Sequence, residues 1–128
     1  MSETGTLHAV VVDDEPAVCS AMGRALKGLG CVVHSFNSGE EVLTWLRIGN
    51  RPGLIITDTR MPNMSGPEWL TIARREALFE NAYVVIMSGA DADIAKQAIR
   101  EGLARMFLSK PWKAITLREI VNSLKYSR

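Results

Sequence analysis

The chain has 128 residues, of which 47% are hydrophobic and 23% charged, with a formal net charge of +1. That size and balance suit one globular domain with a core of its own and exclude a disordered chain. They also argue against a strongly basic nucleic-acid or lipid binder, and no apolar run reaches membrane-spanning length. The opening MSETGTLHAV lacks the basic-then-apolar layout of a signal peptide, so the expected location is cytoplasmic and Cys19 and Cys31 are expected as reduced, structural thiols.

Strand-like and helix-like patterns alternate along the chain. The first strand is expected over residues 7–12 (LHAVVV), followed by a helix with Pro16 in its first turn. Val18, Met22, Ala25, Leu26 and Leu29 recur there at helical spacing, and Gly28 or Gly30 stops the helix. A second strand is expected over 31–36, then a helix opened by the capping-box pattern Ser38-Gly39-Glu40-Glu41 and ended near Gly49. The third strand, 54–57, leads to a helix after Ser65-Gly66-Pro67; the fourth, 82–87, leads to a helix after Asp91 that buries Ile94, Ala98 and Ile99 and stops at Gly102. The fifth strand, 105–108, precedes a helix carrying Leu117, Ile120, Val121 and Leu124.

Five near-continuous apolar strands alternating with five helices imply an α/β fold, a doubly wound parallel sheet covered on both faces, over a single domain of residues 1–128. Sheets of this kind bind ligands at the carboxyl ends of their strands. Those ends carry Asp13-Asp14, Asp58, Ser88-Gly89 and Ser109-Lys110-Pro111. Converging carboxylates repel one another unless a cation offsets them. Mg²⁺ prefers oxygen ligands and commonly joins a carboxylate to a phosphate; Lys110 adds a positive charge and Ser88 a hydroxyl. Together these groups suit the handling of a phosphoryl group.

The segments VVDDEP, IITDTRMPNMSG, VIMSG and FLSKPW, in that order and each at a strand end, resemble the receiver domain of bacterial two-component response regulators over essentially the whole chain. The resemblance implies a flavodoxin-like receiver fold with strand order 2-1-3-4-5. It implies a phosphorelay signalling module that is phosphorylated on Asp58, with Mg²⁺ as cofactor. Asp14 is then the direct Mg²⁺ ligand, Asp13 acts through water, and Asp58 and the backbone carbonyl of Arg60 complete the protein's share. Ser88 bonds the phosphoryl oxygen, Lys110 pairs with the phosphoryl group before a Lys110-Pro111 bond that is often cis, and Phe107 is the aromatic switch. Implied partners are a sensor histidine kinase or a histidine phosphotransfer protein and a downstream effector. A homodimer through the fourth helix, fifth strand and fifth helix is also implied, where Lys96, Arg100, Arg105 and Lys113 would meet a partner. Direct nucleic-acid or membrane binding is not expected, nor turnover of an external substrate. Arg60 and Ala90 occupy the two positions that tune phosphoryl lifetime in that family, and Gly66-Pro67 departs from its commoner glycine-aliphatic pair.

Plainer readings stand beside these. Asp13 and Asp14 suit helix N-caps, although one cap explains one aspartate. Ser88-Gly89 suits an ordinary turn, Phe107 a core position, and Lys110 alone a solvated lysine. Trp45 and Trp69 read as packing residues. His8 and His34 show no metal-ligand spacing and read as structural. Lys27, Arg74, Arg75, Lys96, Arg100 and Lys125 are expected on solvated faces. Gly28-Leu29-Gly30 resembles part of a dinucleotide loop, but it follows a helix and enters a strand. An aspartate-nucleophile phosphatase of the haloacid dehalogenase type is the rival function, yet Asp58-Thr59-Arg60 lacks that family's second carboxylate. A flavin-binding flavodoxin would need a phosphate loop where Asp13-Asp14-Glu15 stands, and an intact acidic set argues against a receiver-like module that never handles phosphate.

Overall fold

The structure, a computed structural model, describes residues 6–90 and 92–126. Along them run β1 (His8–Val12), α1 (Pro16–Gly28), β2 (Val32–Phe36), α2 (Gly39–Arg47), β3 (Leu54–Asp58), α3 (Gly66–Arg75), β4 (Tyr83–Ser88), α4 (Ala92–Arg100), β5 (Met106–Ser109) and α5 (Ala114–Tyr126). The strands form one parallel sheet in the order β2-β1-β3-β4-β5, as the resemblance implies. Strand boundaries move by a residue from the sequence reading, and Asp58 and Ser88 prove to be the last residues of β3 and β4.

Alternation along each strand divides the core into two layers. Val10, Val12, Ile55, Val84 and Ile86 face one side, where α2, α3 and α4 contribute Leu43, Leu46, Trp69, Leu70, Ala95 and Ala98. Ala9, Val11, Leu54, Ile56, Val85 and Met87 face the other, against Met22 and Leu26 of α1 and Leu117 and Val121 of α5. Each large side chain fully removed from water contributes about 1.5–3 kcal/mol, so these layers drive folding. β3 is covered throughout, and β1 and β4 are covered beyond exposed His8 and half-buried Tyr83; the edge strands β2 and β5 are only partly covered, because each has a neighbour on one side alone.

The helix ends show where local rules held. Ser65 and Glu68 form a reciprocal capping box on α3. On α2, Ser38 Oγ accepts from the Glu41 N–H, but the Glu41 carboxylate accepts from Asn37 N–H at 3.0 Å, so the expected box is only half formed. Gly30, Gly49 and Gly102 adopt positive φ just past their helices. On α4 the buried stripe is Ala95 and Ala98, with Ile99 packed at its margin; Ile94 lies one residue round the helix and is 38% exposed, contrary to expectation. The expected start at Asp91 lies outside the described residues. Two expected surface cations are engaged: Lys125 Nζ donates to Leu29 O at 2.8 Å, tying α5 to the end of α1, and Arg74 donates to Gly102 O. Cys19 and Cys31 are buried free thiols, which burial pushes to higher pKa. No helix among the described residues is long and apolar enough to cross a membrane.

Candidate functional site at the carboxyl end of the sheet

The chain runs outward from β1 to β2 and then back across to β3, so the β1–α1 and β3–α3 loops diverge and leave a crevice between them. Asp13 sits at its floor, fully buried. Its N–H donates to Phe36 O at 3.1 Å, its carbonyl accepts from Asn37 Nδ2 at 3.1 Å, and its Oδ1 accepts from Glu15 N–H at 2.9 Å. The N-cap of α1 is Glu15, which makes no side-chain cap bond, so neither aspartate serves as the cap. Asp14 is exposed at the mouth. Asp58 is buried at 8% exposure, and its Oδ1 accepts from Thr59 N–H at 2.9 Å. Carboxylate oxygens of Asp13, Asp14 and Asp58 all lie within 4.8 Å of one another.

Lys110 answers the repulsion. Its Nζ lies 2.9 Å from Asp13 Oδ2, 3.2 Å from Asp58 Oδ2 and 3.7 Å from Glu15 Oε1. Asp13 Oδ2 is buried and forms no aligned hydrogen bond, so its contact with Lys110 is a charge contact with bonding capacity left over. Burial, and then the Asp13 charge, raise the Asp58 pKa above the ordinary carboxylate value, and Lys110 works against both. Burial alone would lower the Lys110 pKa; the close contacts with the Asp13 and Asp58 carboxylates outweigh that and raise it. Lys110 therefore stays an ammonium.

The backbone around Asp58 is fixed by groups that the sequence reading passed over. Trp69 Nε1–H donates to Thr57 Oγ1 at 2.9 Å, and Thr57 Oγ1 donates to Asp58 O at 3.1 Å. Trp69 is thus a positioning residue as well as a core residue. Thr59 is held on the other side by hydrogen bonds to Met87 O. Gly66 allows α3 to start against this turn: a Cβ there would lie 2.3 Å from Asp58 O. Glu15 and Asn37 complete the frame. The one sequence signal for Glu15 was its place in Asp13-Asp14-Glu15; the Trp69–Thr57 link has no local signal, because its partners are 12 residues apart.

Ser88 is buried at the end of β4, one residue beyond the Asp58–Met87 pairing, and its carbonyl accepts from Lys110 N–H at 3.0 Å. The Lys110-Pro111 peptide is cis. Arg60 lies exposed two residues past Asp58. Phe107 stands apart from the acidic cluster: it is half-buried on β5, opposite Ile86, and packs against the α2–α3–α4 layer. The fold therefore gathers Asp13, Asp14, Asp58 and Lys110 into one site, sets Ser88 on the neighbouring strand end, and leaves Phe107 one layer out.

Known proteins resemble this chain in sequence and fold. Residues 9–122 match the response regulator receiver domain family. The chain is 30% identical over 128 aligned positions to the two-component response regulator ARR7 of Arabidopsis thaliana, covering 91% of this chain and 62% of that protein. It is 36% identical over 104 positions to the DNA-binding transcriptional regulator NtrC of Salmonella typhimurium, covering 80% of this chain and 21% of the relative. The chain thus spans less than two thirds of the length of these relatives. A solved response regulator receiver domain protein from Clostridium thermocellum superposes with a TM-score of 0.81 at 29% identity, covering 94% of this chain and 95% of that one. Sheet order, motif spacing and the match over residues 9–122 agree, and the chain belongs to the family of two-component response regulator receiver domains.

Proposed function

We propose that this chain is the phosphoacceptor module of a two-component pathway, in which Asp58 takes a phosphoryl group from a phosphohistidine of a sensor histidine kinase or histidine phosphotransfer protein. The observation that carries the reading is the pairing of a buried carboxylate with a buried neighbour of like charge and one shared ammonium, Lys110, 3.2 Å and 2.9 Å away. A structural ion pair has no need of the second carboxylate, which costs stability.

The donor set suits Mg²⁺: the oxygens are hard, they converge within 4.8 Å, and Asp13 Oδ2 has bonding capacity to spare. Asp13, Asp14 and Asp58 would hold the ion, with the backbone carbonyl of Arg60. When bound, Mg²⁺ supplies charge to offset the carboxylates and the oxygens of an incoming phosphoryl group. The chain's own groups do the rest. Thr59 N–H, bonded to Asp58 Oδ1, fixes the plane of the nucleophilic carboxylate. Lys110 works against the effect of burial on that carboxylate and so favours its ionised form. The bond from Asp58 oxygen to phosphorus forms as the phosphorus–nitrogen bond breaks, and the donor imidazole departs after taking a proton. Lys110 then moves from Asp58 Oδ2 to a phosphoryl oxygen, and the Ser88 hydroxyl donates to another. Hydrolysis later returns the carboxylate and inorganic phosphate, so the module regulates and turns over no external substrate. The rival phosphatase reading gains nothing, because Arg60 stands where a second carboxylate is needed.

Movement of Ser88 opens space beside β5, and inward rotation of Phe107 completes a two-state switch biased by the contacts of the phosphoryl group. The output face is then α4, β5 and α5, for a downstream effector or a second copy of the chain. Ile94, Lys96, Arg100 and Lys113 are exposed there, while Arg105 lies over the Tyr83 ring at 5.4 Å. We assign residues 1–128 to a single receiver domain acting in the cytoplasm.

Two measurements test this. A small phosphodonor with Mg²⁺ should add one phosphoryl group to the wild-type chain and none to Asp58→Asn; retention in that variant, or phosphate on Ser88, refutes the assignment. Beryllofluoride with Mg²⁺ should shift amide signals across residues 88–113 more than those of α2, and Ser88→Ala should blunt that shift. A perturbation confined to the neighbours of Asp58 removes the switch roles of Ser88 and Phe107.

A further inference from the structure

His8 and His34 lie 26 residues apart in sequence, yet parallel pairing of β1 with β2 brings their rings together. Both side chains point to the α2 side of the sheet, with the register His8↔Val32 and Val10↔His34 placing them as diagonal neighbours. His8 Nδ1 and His34 Nε2 are 3.0 Å apart. The ring planes differ by 11° and the centroids are 5.3 Å apart, so the contact is nitrogen edge to nitrogen edge rather than face to face. His34 is braced from behind by Trp45, at 4.7 Å between centroids, and Trp45 in turn by Phe36 at 5.4 Å.

We propose that this pair is a binding site for a divalent cation of the imidazole-preferring class, Ni²⁺, Cu²⁺ or Zn²⁺, separate from the carboxylate site. Two imidazole nitrogens bound about 2.1 Å from one ion are about 3.0–3.4 Å apart for angles between right and tetrahedral, so the 3.0 Å spacing is in range, while the rings, which meet head-on, must each turn to aim a lone pair at the shared ion. The strands hold the two Cα positions through backbone hydrogen bonds, and Trp45 packs against the His34 ring, so ring rotation is the main ordering left for the ion to impose. His8 is exposed, so the ion and the waters that complete its shell can reach the pair from solvent. In the resting pair one ring donates N–H to the other. When the ion enters, the donor ring carries its proton on its other nitrogen, so both rings remain neutral and no proton is released. Burial, and then the His8 charge, lower the His34 pKa, which favours the neutral ligand form. His8 and Asp13 are five residues apart at opposite ends of β1, about 16 Å at strand rise, so one ion cannot serve both sites. Carboxylate oxygens suit hard ions and imidazole suits the borderline ones, so the two ends of β1 select different metals.

The test is a titration of the whole chain with NiCl₂ in saturating Mg²⁺, read by paramagnetic broadening of backbone amide signals and of the Trp45 indole signal. Broadening centred on residues 7–9, 33–35 and Trp45 is expected. His8→Gln and His34→Gln should each weaken it by about tenfold or more, since each removes one arm of a chelate; Asp14→Asn should leave it unchanged. Both histidines lie at or near the surface, and an unchanged far-ultraviolet spectrum confirms that each variant is folded. Broadening confined to the surroundings of Asp13, Asp14 and Asp58, or broadening at the pair that survives in both histidine variants, overturns the proposal.

Discussion

The two ends of the sheet are built on opposite principles. At the carboxyl end lie the buried polar and charged residues found among the described residues, Asp13, Thr57, Asp58, Thr59 and Ser88. At the amino end β1 opens with exposed His8 and then fully buried Ala9, β3 opens with fully buried Leu54 and β4 with half-buried Tyr83, and the polar groups on that side lie at the β1–β2 border as His8 and His34. Buried carboxylates crowded on one another oppose folding, whereas apolar strand starts favour it. The amino end and the two core layers therefore supply the stability that the carboxyl end draws down, and Lys110 limits the deficit.

Substitutions at the carboxyl end should accordingly have large effects of either sign, and those at the amino end small ones. The largest is expected for Gly66→Ala. Its Cβ would lie 2.3 Å from the Asp58 carbonyl oxygen, which must move or push α3 away, at about 3 kcal/mol of stability in urea unfolding. A loss of stability with no change at Asp58 would show that α3 alone yields. Next comes Lys110→Ala, which leaves Asp13 and Asp58 without their shared ammonium. It should fold but lose about 2 kcal/mol, discounted for the partial exposure of Lys110, and saturating Mg²⁺ should recover part of the loss. No recovery would mean that the carboxylates do not bind the ion.

Asp58→Asn should act in the other direction. It removes a buried charge that burial and Asp13 both disfavour, and without divalent ions it should stabilise the chain by about 1 kcal/mol. The same variant should lose the stabilisation that Mg²⁺ gives the wild type. A destabilised Asp58→Asn would imply that the Lys110 contact outweighs the repulsion. At the amino end, His34 offers the smallest test. Its folded pKa lies below 6.5, so its contribution is present above that value and is lost as pH falls through the folded pKa. Subtracting the His34→Gln stability profile from that of the wild type should expose a decline below pH 6.5; a flat difference would contradict the burial of its neutral form.

Most of the fold was legible because period and strand ends are local properties. Apolar runs broken by Gly30, Gly49 and Gly102 marked the elements, and Asp13, Asp58 and Lys110 stood at strand ends, where chemistry is expected in a parallel sheet. What stayed hidden depends on register or helix phase. The contact between His8 and His34 exists only because β1 pairs with β2 in one register. The Trp69–Thr57–Asp58 link requires α3 to lie over β3. Ile94 was misjudged by one position of helix phase, and the resulting exposed isoleucine now falls on the face assigned to output. The reach of Lys110 to Glu15 joins residues far apart in the chain and has no local mark.

The central claim is that the carboxyl end exists to carry phosphate on Asp58. The most direct measurement is to treat the chain with a phosphodonor and Mg²⁺, reduce it with borohydride and map the peptides by mass spectrometry. An acyl phosphate is reduced to an alcohol, so the account predicts homoserine at position 58 and an unmodified aspartate at 13 and 14. Homoserine at position 13 or 14, or at none of the three in a chain that has gained a phosphoryl group, would contradict it.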